Sequence, residues 1–138
     1  MIKTKYNSKK IEYDGHNFDS KMEMDYFIYL LGDESVDKID LQPTFQLQEP
    51  FIKYGKRHRA ITYTPDFEVT FKDGTVELID IKGFSTQQGD MRRKMFDYHY
   101  PNLTLKWITY VKKCGGWISV DEIKAIRRKN KREKDKQK

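Results

Sequence analysis

The stretch YTPDFEVTFKDGTVELIDIKG, residues 63–83, predicts a β-strand, a turn and a second β-strand. It places Asp66, Asp80 and Lys82 among apolar residues of the kind that fill the interior of a sheet. Charged side chains in such positions cost several kcal/mol of folding free energy unless they are paired or bind a metal. This segment is therefore the strongest candidate in the chain for a functional site.

The loop between the two strands decides whether the two carboxylates meet. A two-residue loop would send the side chains of Asp66 and Asp80 to opposite faces of the sheet. A three-residue loop, Lys72-Asp73-Gly74 with its glycine in the left-handed region, pairs Phe71 with Thr75 instead. Asp66 then lies directly opposite Asp80, with Cβ atoms about 5 Å apart. Because two carboxylates at that distance repel unless a divalent cation lies between them, we predict the three-residue loop.

A simpler interpretation treats each charge separately. Asp66 would then only begin a strand after Pro65, and Asp80 and Lys82 would be solvated. The joint pattern argues against this, because the run VELIDIKG otherwise suits a buried strand on which Leu78, Asp80 and Lys82 share one face.

Glu23 is a third candidate acid. Ser20 and Glu23 form a capping box, in which the glutamate closes the N-terminus of a helix that Gly32 ends. Glu23 also stands at the head of a core-facing stripe with Tyr26, Phe27 and Leu30. We expect its carboxylate to point toward the sheet and to take part in the site.

The composition bounds the class of protein. The chain has 138 residues and a net charge of +6, but residues 127–138 hold eight basic and two acidic residues, and the other 126 residues are balanced. No apolar run approaches the roughly 18 residues of a membrane span, and MIKTKYNSKK does not resemble a secretory signal. The lone Cys114 excludes an intrachain disulfide and a cysteine-based zinc cluster. An intracellular protein without a membrane partner is expected.

The order of predicted elements indicates an α/β fold in one domain, residues 1–126, followed by a basic, flexible tail, residues 127–138. A hairpin turns at Asp14-Gly15, the capped helix follows, and residues 39–51 read as strand interrupted by prolines. After a basic loop and the quoted segment come a helix over residues 87–98, a strand over residues 103–111 and a last helix capped by Ser119.

The series of motifs resembles the PD-(D/E)xK nuclease superfamily. Pro65-Asp66, a spacer of 13 residues and Asp80-x-Lys82 match its two-part signature, and Glu23 matches the acidic residue on its preceding helix. The segments GHNFDSKMEMDY, QPTFQL, ITYTPDF and IDIKGFST, followed by a basic helix, are similar to small phage-encoded endonucleases and Holliday-junction resolvase-like proteins. The resemblance covers roughly residues 14–107.

This resemblance implies a restriction-endonuclease-like fold, a central mixed β-sheet flanked by helices, and Mg²⁺-dependent hydrolysis of phosphodiesters, with Mn²⁺ expected to substitute. Asp66, Asp80 and the Ile81 carbonyl would hold the metal, and Glu23 would hold a metal-bound water or a second ion. Lys82 would orient the attacking water and offset phosphate charge.

Two basic clusters flank the quoted strands and are expected to contact DNA phosphates. One is the loop that carries Lys53, Lys56, Arg57 and Arg59, and the other is Met91-Arg92-Arg93-Lys94 on the following helix. The family singles out one basic residue on that helix, and the sequence leaves open which of Arg92, Arg93 and Lys94 it is.

The expected activity is that of a metal-dependent DNA endonuclease on branched DNA, acting as a homodimer in the host cytoplasm if the protein is phage-encoded. Three alternatives stay open at this point. One is a general or nicking phage endonuclease in DNA processing or packaging, and another is a DNA-binding protein that uses the same scaffold without cutting. The third is a structural or host-takeover protein whose acidic strand binds a partner.

Overall fold

A computed structural model gives the fold for residues 11–82 and 86–137. The expectation about a signal in the first ten residues, the GFS part of IDIKGFST and the last residue of the tail lie outside the described residues. Among the helices in the described ranges, none is both long enough and apolar enough to cross a membrane.

The described residues form three α-helices, one short 3-10 helix (Lys112–Cys114) and eleven strands. The helices are α1 (Lys21–Leu31), α2 (Gln87–His99) and α3 (Val120–Lys136). The strands are β1 (Ile11–Tyr13), β2 (His16–Phe18), β3 (Val36–Leu41), β4 (Phe45–Gln48), β5 (Phe51–Lys53), β6 (Lys56–His58), β7 (Ile61–Tyr63), β8 (Phe67–Phe71), β9 (Val76–Ile81), β10 (Thr104–Val111) and β11 (Gly116–Ser119).

A mixed five-stranded sheet lies at the centre, in the order β11-β10-β9-β8-β3. Its strands pair antiparallel, except that β9 and β10 are parallel and are joined through α2. A parallel pair requires a crossover connection, and α2 provides it. The α/β class with a central mixed sheet is therefore confirmed.

The two faces of the sheet bury different apolar clusters, as the alternation along β9 requires. On one face Ile79 and Ile81 pack with Phe27 and other residues of α1. On the other face Leu78 packs with Phe96 of α2 and with Trp107 of β10. Helix α1 therefore covers one face, and α2 together with the start of α3 packs on the other. The side of the sheet that carries Leu78 is also the side of Asp80.

The hairpin between β8 and β9 has the register that the sequence predicts. Phe67 pairs with Ile79 and Thr70 with Val76, and the Phe71 amide donates to the Thr75 carbonyl at 2.8 Å. Gly74 has a φ of +90°, in the region that glycine adopts without strain. The three-residue loop is confirmed, and the two-residue alternative is wrong.

The helix caps also follow the sequence. The Ser20 hydroxyl accepts a hydrogen bond from the Glu23 amide at 3.1 Å, and the Ser119 hydroxyl accepts one from the Glu122 amide at 3.1 Å. These contacts satisfy backbone donors that the first turn of a helix leaves unpaired.

Three local features differ from the expectations. Residues 53–59, expected to be a loop, form a hairpin of β5 and β6, because positive φ angles at Tyr54 and Gly55 allow a two-residue turn. Strand β11 was not predicted; it completes an edge of the central sheet. Helix α3 continues to Lys136, so most of the segment expected to be a flexible tail is helical.

Candidate active site

Asp66 and Asp80 are neighbours across the β8–β9 hairpin. Since Phe67 pairs with Ile79, the next positions outward in the same register are Asp66 and Asp80. Asp80 is only 5% exposed, and its neighbour on the parallel strand β10 is Trp107. A row of three side chains therefore crosses three adjacent strands on one face of the sheet.

Lys82 lies beside this pair. Its Nζ is 3.0 Å from Oδ2 of Asp80, and its backbone amide donates to the Ile108 carbonyl at 2.8 Å. The backbone contact fixes the residue at the end of β9, so the ammonium group reaches the carboxylate two positions earlier on the same face. The site therefore contains two acids and one base within a single hairpin.

Tyr63 contacts the same Asp80 oxygen as Lys82, and Trp107 contacts Tyr63. The Tyr63 hydroxyl donates to Oδ2 of Asp80 at 2.6 Å, and the Trp107 indole N–H donates to the Tyr63 oxygen at 2.9 Å. Burial raises the pKa of Tyr63, and the negative charge of Asp80 adds to this, so the phenol stays protonated and acts as the donor. This chain of hydrogen bonds fixes one oxygen of a buried carboxylate.

The Asp66 carboxylate is anchored by the backbone. Its Oδ2 accepts a hydrogen bond from the Ile81 amide at 2.8 Å. Burial raises the pKa of Asp66 strongly, and a hydrogen bond with Asp80 and the charge of Asp80 raise it further. A second negative charge on Asp66 beside Asp80 is therefore unfavourable, and a cation bound between the two side chains would relieve the repulsion.

Glu23 reaches the same cleft from α1, although the apolar residues of that helix pack on the other face of the sheet. It is half-buried at the first turn of the helix, and its pKa is raised by burial and then by the charge of Asp19. The charge of Asp80 makes a small further contribution in the same direction. Glu23 thus donates its backbone amide to the Ser20 cap and also lines the cleft that holds the aspartates.

These residues line one cleft of about 480 Å³. Glu23, Asp66, Asp80, Ile81 and Lys82 all contribute to its walls. The structure therefore brings together the four charged residues that the sequence predicts as catalytic, Glu23, Asp66, Asp80 and Lys82.

The three basic residues at the start of α2 lie in different environments. Arg92 lines the cleft. Arg93 instead donates to Asp121 of α3 at 2.6 Å and lies 4.8 Å from the centre of the Trp107 ring. Lys94 is exposed and is not among the residues that line the cleft. Of the three candidates, only Arg92 faces the acidic pair.

The other predicted DNA-contacting residues lie away from this cleft. Lys53, Lys56, Arg57 and Arg59 belong to or follow the β5–β6 hairpin, and the first three are exposed on it. The hairpin connects to the site through β7, whose last residue is Tyr63. The structure therefore links these residues to the site through one strand but does not place them in it.

The donor set fits Mg²⁺ better than a transition metal. Within residues 11–82 and 86–137, no three His, Cys, Asp or Glu side chains form a group that could hold a metal by themselves. Mg²⁺ prefers oxygen ligands, keeps several waters, and commonly uses one or two carboxylates together with substrate phosphates. Two adjacent, mutually repelling carboxylates at the wall of an open cleft match that requirement.

The sequence interpretation missed the role of two residues. Neither Tyr63 nor Trp107 is among the site residues that the sequence predicts. A buried indole N–H usually needs a hydrogen-bond acceptor, so the inward position of Trp107 on its strand was a signal that a polar partner lies nearby. The identity of that partner required the fold.

The model of the family described as "Protein of unknown function (DUF1064)" matches residues 3–116, and the chain belongs to this family. No curated protein and no solved structure matches the chain significantly.

Proposed function

We propose that this DUF1064 protein is a Mg²⁺-dependent DNA endonuclease of the PD-(D/E)xK type, with a restriction-endonuclease-like fold. One observation carries the proposal: Asp66 and Asp80 lie side by side on one face of the sheet, with the Lys82 ammonium 3.0 Å from Asp80. A buried aspartate beside a partly buried one, with an adjacent base and inside a cleft, is a costly arrangement that a structural role does not require.

Asp66, Asp80 and the Ile81 carbonyl are the residues that would hold Mg²⁺, with Mn²⁺ as a substitute, and Glu23 would hold a water ligand or a second ion. When bound, the metal would acidify a water and stabilise negative charge on the phosphate. Tyr63 and the Ile81 amide support this arrangement, because they fix one oxygen of each aspartate before substrate arrives.

The basic residues have separate roles in the proposal. Lys82 orients the attacking water and offsets the charge that develops on the phosphate. Arg92, which lines the cleft, contacts a phosphate oxygen of the cleaved strand. Arg93 and Lys94 are left out of the chemical step, since Arg93 is engaged by Asp121.

The substrate class in this proposal is DNA, with branched DNA preferred and a homodimer acting on it, as the resemblance to resolvase-like proteins implies. A resolvase makes two symmetric cuts, and a two-fold dimer supplies two sites. This preference is an analogy at the level of the family and is separate from the assignment of the site.

The test is cleavage of a four-way junction, a linear duplex and single-stranded DNA by the purified chain with Mg²⁺, Mn²⁺ or EDTA. We expect cutting with either metal, none with EDTA, and the fastest cutting on the junction. Cutting of all three DNAs alike would favour a general nuclease, and metal-independent binding without cutting would favour the binding module.

The decisive variant is Asp80→Asn, which keeps the size of the side chain. It should reduce cleavage at least about 100-fold and leave DNA binding nearly unchanged. The matched control is Asp97→Asn, since Asp97 is an exposed aspartate of α2. Cutting by Asp80→Asn at the wild-type rate would contradict the site assignment.

A further inference from the structure

The hairpin of β5 and β6 forms a second exposed surface, whose residues are not among those that line the cleft. Strands β5 and β6 form a hairpin that is separate from the pair β4 and β7. The two pairs keep the same antiparallel register, since Gln48 lies opposite Ile61 and Phe51 opposite His58, although residues 49–50 and 59–60 between them are not strand. Residues 48–61 are here called the arm. Its tip is the two-residue turn Tyr54-Gly55.

The arm stands off the body of the protein. Ile52 is 72% exposed and Tyr54 is 94% exposed, although both are large apolar or aromatic side chains. Phe51 is also exposed, and it stacks on His58 with ring centroids 4.5 Å apart. A two-stranded ribbon of this kind gains little stability from burial, so its side chains are not explained by packing.

Two features of the tip lower the stability of the hairpin. Tyr54 has a φ of 52° and Gly55 a φ of 72°. This turn favours Asn, Asp or Gly at its first position, and a tyrosine there is strained. Lys53 lies directly opposite Lys56 in the ladder, and like charges in that relation destabilise a hairpin. Both features lower the local stability of the hairpin, as is typical of segments that bind a partner.

The charge of the arm points to a polyanion. The arm contains four basic residues, Lys53, Lys56, Arg57 and Arg59, and one acidic residue, Glu49. The Lys53 ammonium lies 5.1 Å from the centre of the Tyr54 ring, so cation and ring are presented together. Cations beside an exposed aromatic ring are the elements with which proteins hold the backbone and the base faces of nucleic acids.

We propose that the arm binds nucleic acid and that the Tyr54 ring stacks on a base whose face is free, at a branch point or unpaired position. This inference rests on the proposed function, whose substrate class it narrows to DNA with interrupted base stacking. In a continuous duplex both faces of each base are covered by neighbours, so the ring finds a partner only where the stack is open.

The arm is also placed to act together with the cleft. Tyr63, which contacts Asp80, is eight residues from Gly55 along β7 and β6. At about 3.3 Å per residue the tip lies at most about 26 Å along the strand from Tyr63. That distance corresponds to about eight nucleotide steps at about 3.4 Å each. The open base therefore lies within about eight nucleotides of the cleaved phosphate.

The test compares two DNAs of the same sequence, a continuous duplex and one with a short unpaired stretch that contains 2-aminopurine. Binding is followed in EDTA by fluorescence anisotropy, and stacking by quenching of the 2-aminopurine. The full chain is used as wild type, Tyr54→Phe and Tyr54→Asn. Since asparagine suits this turn, Tyr54→Asn removes the ring without unfolding the arm, and a melting curve checks this.

Wild type and Tyr54→Phe should bind the interrupted DNA more tightly than the duplex and quench the 2-aminopurine. Tyr54→Asn should lose about 5- to 100-fold in affinity for the interrupted DNA and lose the quenching, with duplex affinity unchanged. Equal binding of the interrupted DNA by wild type and Tyr54→Asn would overturn the proposal. The exposed Tyr54 ring would then be assigned to contact with a protein partner instead. Equal losses on both DNAs would overturn it as well.

The same samples with Mg²⁺ separate this inference from the proposed function. Metal-dependent cutting by wild type, together with unchanged binding by Tyr54→Asn, would overturn the role of the arm alone. A wild-type chain that neither binds nor cuts either DNA would overturn both.

Discussion

The Tyr63 hydroxyl donates a hydrogen bond of 2.6 Å to Oδ2 of Asp80, and the Trp107 indole donates to the same hydroxyl. One oxygen atom thus serves as donor to the central acid and as acceptor for the most deeply buried indole of the sheet. Removing it affects both the stability of the fold and the orientation of the candidate site.

Tyr63→Phe tests this relationship. It leaves the Trp107 N–H without its acceptor and Asp80 without one donor, so we expect the free energy of unfolding to fall by about 1–3 kcal/mol. The concentration of Mg²⁺ needed for half-maximal cleavage should rise, because Asp80 is less firmly oriented. Urea denaturation and a Mg²⁺ titration measure the two effects. Tyr98→Phe on the exposed side of α2 is the control, and an equal effect there would contradict the assigned role.

The raised pKa of Asp66 leads us to predict an unusual dependence of stability on pH. Its pKa rises from 3.8 in the unfolded chain to a much higher value in the fold, mainly through burial. Between about pH 4 and about pH 9 the folded state therefore binds more protons than the unfolded state. The free energy of unfolding falls as pH rises through this range. Without metal, wild type should be less stable at pH 8 than at pH 5.

Asp66→Asn should remove that dependence. The amide oxygen can still accept from Ile81, and the amide nitrogen can donate to Asp80, as a protonated aspartate does. We expect the variant to be more stable than wild type by about 1–3 kcal/mol at pH 8 in EDTA, and to gain nothing from Mg²⁺. Thermal melts at several pH values, with and without Mg²⁺, check both points. Parallel curves for the two proteins would contradict the raised pKa.

Arg92 and Arg93 form a matched pair for substitution. Arg92→Ala should reduce cleavage by about 10- to 100-fold with little change in melting temperature, because Arg92 is exposed at the cleft. Arg93→Ala should lower stability by about 1 kcal/mol, because it loses the contact with Asp121 and the packing on Trp107. Single-turnover rates and melting curves separate the two. Loss of cleavage in Arg93→Ala together with loss of stability in Arg92→Ala would contradict the roles assigned here.

Gly74 sets the register that brings the aspartates together. Alanine at its φ of +90° should cost about 1–2 kcal/mol of stability through backbone strain alone, since nothing lies within 4 Å of an added Cβ. Gly32→Ala is the control, because Gly32 has an ordinary φ of −85° and room for a methyl group. Urea denaturation of both variants measures the difference. Similar losses would show that the left-handed turn is unimportant.

The acidic pair could be predicted from the sequence because its geometry is local. Side chains alternate along a strand, and the Lys72–Gly74 loop fixes the register, so the relation of Asp66 to Asp80 follows from the residues between them. The cap at Ser20 and the buried stripe on α1 are local in the same sense.

Other features depended on contacts that no local rule supplies. The bond from Trp107 to Tyr63 joins residues 44 positions apart, and the contact of Arg93 with Asp121 joins residues 28 positions apart. Which arginine of α2 is free for the cleft follows from where α3 lies, not from the spacing along α2.

The sequence by itself therefore determined which two acids face each other and on which strands they lie, because turn length and the two-residue period of a strand act over short distances. Only the tertiary structure decided what else surrounds them: Tyr63 and Trp107 support Asp80, Arg92 lines the cleft, and an exposed hairpin leads away from the site. Those relations arise when distant elements are packed into one core, and packing depends on the whole chain at once.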